Sequence, residues 1–222
     1  KVSYPVLSEL QHDDKALKAV YKKIFMSLVF ISSISMLILG AIAKPLILTL
    51  LGEKWLPSVP ILQLLCFVGL LYPLCDFNLT ILKVKGKSGL ILKLEIVKRV
   101  LSIPVIIMGI TYGIKVLIIG MIVLSFFEFL INSYFSGKEI SYSLKEQISN
   151  NLPSIGLAFV VSAIIYNLSL NLEFNNLLIL LICITLSLIL VILISEVLRI
   201  KAYLNIKSIL LDSLRKKIII CK

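Results

Sequence analysis

Six stretches of the chain are long and apolar enough to cross a bilayer, at about 24–43, 61–82, 90–112, 114–135, 152–172 and 177–198. A hydrocarbon core takes roughly 20 residues of helix, and each stretch has about that length. Residues 1–23 are too polar to span. Within them Ser8 with Gln11 fits a capping box, and Asp13 or Asp14 can cap a second start. Leu17, Val20, Tyr21, Ile24 and Phe25 then recur at helical spacing. The pattern predicts a cytoplasmic amphipathic helix that runs on into the first span.

Punctuation between the stretches agrees. Gly52 can end a helical turn, Trp55 suits the interfacial belt, and Ser58 with Pro60 suits a helix start. Gly113 makes a tight turn between the third and fourth spans, and residues 136–151 read as a polar cytoplasmic loop. Pro153 falls in the first turn of the fifth span, and residues 199–222 form a basic, amphipathic cytoplasmic tail. Ser32, Ser33, Ser35, Gly40 and Ala41 on the first span are small residues of the kind that let membrane helices approach closely. The expected fold class is all-α, a polytopic membrane protein of about six transmembrane helices.

Composition supports that class. The chain is 59% hydrophobic and only 16% charged, where a soluble domain carries about a quarter charged residues. It opens on Lys1 with no cleavable signal region, so the expectation is the later part of something longer. A net charge of +11 would suit nucleic acid only if a water-soluble body displayed it on one face. Here the lysines fall between apolar runs and report topology instead, and nucleic acid is not expected as a partner.

Counting Lys and Arg in alternate loops gives 20 on one side, over 1–23, 83–99, 136–150 and 199–222, against Lys44, Lys54 and Lys115 on the other. By the positive-inside rule both ends of the chain are cytoplasmic and the Gly52–Pro57 turn faces outward.

Four cysteines show no C-x-x-C or Cys/His grouping, so neither disulfide nor metal is expected, and no cofactor. His12 stands without an evident nucleophile, and no phosphate-binding lysine–glycine loop occurs.

Ionisable residues inside apolar spans are costly and become functional candidates by default. Asp76 shares a helical face with Gly69, Pro73, Thr80 and Lys83. Glu128 shares one with Met121, Ser125 and Asn132, at a similar depth. Two carboxylates facing each other in low dielectric would tend to hold a proton between them, which suits proton or cation coupling and equally a sugar-binding site. Packing between helices is the competing reading. The candidates for substrate binding or coupling are therefore Asp76, Thr80, Glu128 and Asn132. Lys83, Lys85 and Lys87 are mostly topological, with contact to an anionic headgroup or diphosphate as the alternative. Asn78, on the far side of its helix from Asp76, reads as a helix–helix hydrogen bond. Glu95 with Lys98 and Arg99 has the spacing for neutralisation on one helix, and Glu196 is placed to pair with Arg199.

Four segments together resemble one family: YPVLSELQ at 4–11, the basic amphipathic lead into the first span, AKPLILTLLGEKWLPSVPILQLL at 43–65 and ILKVKGKSGLILKLEIVKR at 81–99. It is the oligosaccharide flippases, the Wzx-like lipopolysaccharide and capsule exporters of the multidrug/oligosaccharidyl-lipid/polysaccharide (MATE-like) superfamily. The resemblance covers most of residues 1–135. It implies two lobes of six helices, of which this chain supplies later helices of the second lobe and then an extra pair. It also implies movement of undecaprenyl-diphosphate-linked oligosaccharide across the bacterial inner membrane by alternating access, with no enzymatic step. Partners would be the lipid-linked oligosaccharide, membrane lipids and other polysaccharide assembly proteins. Alternatives are a cation-coupled multidrug exporter of the same superfamily, or a membrane polysaccharide polymerase or ligase. The last would need catalytic groups on outer loops, which here are short and lack His and Arg.

Overall fold

A computed structural model of the chain describes residues 3–209. Every regular element in it is helical. A short α1 (Ser3–Glu9) leads to α2 (Asp14–Ala41), α3 (Ala43–Leu50), a 3-10 turn at Glu53–Ser58, α4 (Val59–Val84), α5 (Ser88–Tyr112), α6 (Ile114–Glu139), α7 (Leu144–Asn171) and α8 (Asn176–Val197). In space the long helices form a row in the order α5, α6, α4, α2, α7, α8, with α3 lying against α8. This is an all-α, polytopic membrane protein.

The caps explain the boundaries. Asp13 starts α2, its carboxylate accepting the N–H groups of Lys15 and Ala16 at 3.0 Å each. Ser8 does not serve as a cap, because it lies in the last turn of α1. Gly52 adopts a φ of 84° after α3, a left-handed position that favours glycine, and its N–H closes on the Ile47 carbonyl at 3.1 Å. Helix α2 is one continuous rod of 28 residues that carries the polar lead straight into the apolar span, as the periodicity predicts.

Among the described residues five helices are long and apolar enough to cross a membrane by length and composition: Asp14–Ala41, Glu53–Val84, Ile114–Glu139, Leu144–Asn171 and Asn176–Val197. The remaining expected span, 90–112, is helical throughout as α5 but falls outside that set, since Lys93, Glu95, Lys98 and Arg99 crowd its first half. Its second half is apolar and exposed, with Ile103, Ile106, Ile107 and Ile110 facing outward as lipid-facing residues would.

The turn between α6 and α7 is tighter than the sequence suggests. The polar stretch 136–151 is mostly helix, leaving four residues, 140–143, as the connection. Ser143 caps α7 by accepting the Glu146 N–H at 3.2 Å, and the Tyr142 N–H returns to the Gly137 carbonyl at 2.8 Å. Only glycine fits at 137, because a Cβ there would sit 2.3 Å from the Tyr142 oxygen. Helix α7 thus starts earlier than expected and Pro153 lies inside it rather than in its first turn.

The closest approaches fall at glycines other than Gly40 of the first span, where a Cβ would meet Cys66 at an ordinary 3.7 Å. A Cβ at Gly120 on α6 would come within 2.5 Å of Val105 on α5, and one at Gly69 on α4 within 2.8 Å of the Met36 sulfur on α2. The centre of the row is pinned by a fully buried polar hub. The Asn78 amide oxygen accepts from the Tyr21 hydroxyl at 2.5 Å and from Ser136 at 2.7 Å. Its nitrogen donates to Ser133 at 2.9 Å and to the Leu74 carbonyl at 3.1 Å. Three helices meet there, and every donor and acceptor of the amide is used. Tyr21 also stacks on Phe77 and Phe25, with ring centroids 5.0 and 5.6 Å away.

Residues 201–209 are helical, and Lys207 folds back to pair with Glu196 at 2.5 Å. Lys207, not Arg199, is therefore the partner of Glu196. Arg199 occupies the turn itself, at a φ of 48°. The rest of the expected tail, 210–222, lies outside the described residues.

Candidate functional site

A cleft of about 380 Å³ opens between α4, α5 and α6. Each helix contributes one face at i, i+3, i+4 spacing. From α4 come Val68, Tyr72, Asp76 and Leu79; from α5, Glu95, Lys98, Arg99 and Ser102; from α6, Met121, Ser125, Glu128 and Asn132. The Lys98 ammonium bridges two carboxylates, 2.7 Å from Glu95 on its own helix and 2.5 Å from Glu128 on the next. All three side chains are partly exposed, between a fifth and two fifths, within the cleft.

Depth follows from helix rise. Glu128 is eleven residues before the end of α6, Lys98 ten after the start of α5 and Asp76 eight before the end of α4. At about 1.5 Å per residue these are about 16, 15 and 12 Å in from the helix ends. The ion pairs therefore lie near mid-length of α5 and α6.

Of the sequence candidates, the cleft brings together Asp76, Glu128 and Asn132. The face expected for α6 is reproduced residue for residue. The face on α4 is rotated: Tyr72, Asp76 and Leu79 line the cleft, whereas Gly69 turns to α2, and Thr80 bonds the Asp76 carbonyl at 3.4 Å without reaching it. Asn132 is buried at the floor, donating to the Cys75 carbonyl at 3.4 Å, and its amide oxygen has no partner. Glu128 pairs with Lys98 across the α5–α6 contact. Sequence spacing had paired Lys98 only with Glu95. The signal for its second role was present in the alternation of Glu95, Lys98, Arg99 and Ser102 along one face.

The lysine cluster at 83–87 separates on folding. Lys85 pairs with Asp14 at 2.6 Å and caps the Gln11 carbonyl at 2.9 Å; Lys87 reaches Glu139 at 3.8 Å; Lys83 is exposed. At the same end Lys18 and Lys22 both clasp Glu146 at 3.1 Å and lie over the Tyr142 ring at 5.6 Å. Slight burial works against the ionised Glu146 carboxyl, but the two ammonium groups outweigh it and hold the group below the usual carboxylate range. Burial, followed by the Glu146 charge, pushes the Tyr142 phenol up against an opposing hydrogen bond from Asn150. Among the described residues no group of three or more His, Cys, Asp or Glu is placed to hold a metal.

Comparison with known proteins adds a family match and three relatives. Residues 1–60 match a family model described as a polysaccharide biosynthesis protein. The chain is 34% identical over 106 residues to an uncharacterized membrane protein in the cps region of Klebsiella pneumoniae, covering 48% of this chain and 22% of that protein. It is 29% identical over 109 residues to the lipopolysaccharide biosynthesis protein WzxC of Escherichia coli K12, covering 49% and 22%. With the teichuronic acid biosynthesis protein TuaB of Bacillus subtilis it shares 28% over 90 residues, covering 40% and 19%. The matched stretch thus spans about a fifth of the length of these relatives. No solved structure matches the chain.

Proposed function

The chain is related to the Wzx-like polysaccharide-biosynthesis membrane proteins, and on that premise we propose that it forms part of a flippase for undecaprenyl-diphosphate-linked oligosaccharide. The site would be the cleft of Asp76, Lys98, Glu128 and Asn132. One observation carries this reading: charged and amide side chains converge on one cleft between α4, α5 and α6, with the Lys98–Glu128 pair near mid-length of its two helices. Membrane proteins place charges so deep mainly where a substrate or ion passes. The glycan is carried rather than altered, so the protein acts as a transporter and not as an enzyme. The lysine-rich end is cytoplasmic, in the inner membrane of a bacterium, where the substrate is made and where other assembly proteins would meet it.

The test is complementation. A host lacking its own flippase is supplied with the full-length protein, and surface polysaccharide is measured. Restored export supports the reading. Dye export without glycan export would favour the cation-coupled drug exporter, and neither activity would sink both.

A further inference from the structure

A second cavity, of about 610 Å³, sits at the α6–α7 turn, lined by Tyr134, Gly137, Lys138, Ser141, Ser143, Leu144 and Lys145. At this end of the molecule Lys18, Lys22, Lys85 and Lys87 each have a carboxylate partner. Lys138 and Lys145 have none among the described residues, and the turn brings these two to one cavity. Their neighbours Glu139 and Glu146 are already neutralised by Lys87 and by Lys18 with Lys22. The local balance inside the cavity is therefore positive.

The turn is held from behind. The Lys18 ammonium donates to the Ser141 carbonyl at 2.6 Å, and Tyr142, fully buried, anchors the next residue. Ser141 is fixed at a φ of 52°. Its hydroxyl and that of Ser143 border the cavity without any need for the backbone to rearrange. Tyr134, one turn up α6 and 59% exposed, sets an amphipathic ring above the lysines, the side chain suited to the level where headgroups give way to acyl chains.

From these features we propose that the α6–α7 turn is a binding site for the phosphodiester headgroup of an anionic phospholipid. Lys138 and Lys145 face the phosphate, Ser141 and Ser143 supply hydroxyl donors, and Tyr134 with Leu144 rests against the upper acyl chain. The site is separate from the cleft and does not depend on what the cleft carries. It also relocates headgroup contact away from Lys85 and Lys87, whose charges are spent within the chain.

The experiment is lipid retention by the full-length protein, read by native mass spectrometry after exchange into mixed phosphatidylglycerol and phosphatidylcholine. Retained phosphatidylglycerol should fall about tenfold in the K138Q/K145Q variant, given the attraction between an anionic headgroup and each basic residue. The charge-matched K15Q/K23Q variant removes two exposed lysines of α2 outside the cavity and should retain the lipid. Equal loss in both variants would reduce the effect to the general surface field and overturn the site. Displacement of the lipid by inorganic diphosphate at equal concentration would make the occupant a free phosphate group and overturn the lipid assignment. Unchanged retention in K138Q/K145Q would overturn both.

Discussion

The Lys98 ammonium lies 2.5 Å from the Glu128 carboxylate across the α5–α6 contact. This one pair alters how the acidic groups of the cleft act. Glu128 has a cation partner, so the carboxylate facing the cleft without one is Asp76, which is exposed and has no ion pair among the described residues. We expect Asp76→Asn and Glu128→Gln both to impair glycan export while leaving membrane insertion intact. Wild-type export by both variants would return the pair to a packing role.

Lys98 gives a sharper separation. Lys98→Met leaves Glu95 and Glu128 together without their shared cation, and two like charges at that depth resist joint ionisation. Its loss of stability should be relieved by adding Glu128→Gln. Thermal melts of the single and double variants read this directly, and additive effects would show that the two side chains do not interact.

Asn78 is the structural counterpart. Asn78→Ala leaves Tyr21, Ser133 and Ser136 without their buried partner, at about 1–3 kcal/mol for each group left unsatisfied. Unfolding in detergent should occur at markedly lower temperature, and a shift within measurement error would contradict the hub.

The tight α6–α7 turn predicts opposite signs for two glycine substitutions. Gly137→Ala drives a Cβ into the Tyr142 carbonyl and should destabilise by about 1–3 kcal/mol. Gly156→Ala meets nothing within 4 Å in the middle of α7, and should be neutral or stabilising by about 0.5–1 kcal/mol. Melting temperatures that move the same way in both variants would argue against the turn geometry.

Acid should loosen the clasp at the lysine-rich end. Glu146 has its folded pKa lowered from an ordinary value of 4.5 by Lys18 and Lys22. Its contribution is therefore complete above about pH 4.5 and is lost as pH falls below that value, through the lowered pKa. Stability measured from pH 6 downwards should fall less steeply in Glu146→Gln than in the wild type. Salt should shrink the difference, since the carboxylate is 37% exposed.

Alternating access carries its own consequence. If the lobes of the intact protein rock about the cleft, distances from the α4 end near Lys83 to the preceding lobe should show two populations whose ratio shifts with glycolipid. Spin-label distance measurements give this, and a single fixed distance would count heavily against it.

Much of this protein was legible before folding. Runs of apolar residues at spanning length, punctuated by Gly52 and Gly113, marked out the long helices. Membrane helices satisfy their own backbone, so length and apolarity alone decide them. The α6 face of Ser125, Glu128 and Asn132 was legible for the same reason, since helical periodicity is local. The ion pairs of the α4–α5 lysine cluster were not legible, because Lys85 and Lys87 find Asp14 and Glu139 some 71 and 52 positions away along the chain.

What the sequence determined by itself is therefore local: the helical character of the apolar stretches, the ends at Asp13 and Gly52, and the face on which each charge lies along its own helix. Only the tertiary structure decided which faces meet. Periodicity assigns a residue to a stripe, but the angle at which that stripe is presented depends on packing. Gly120 letting α6 close on Val105, and Gly69 turning α4 toward Met36, set that angle. Packing put Asp76 and Glu128 on one cleft, gave Glu128 its partner in Lys98, and left Thr80 outside it.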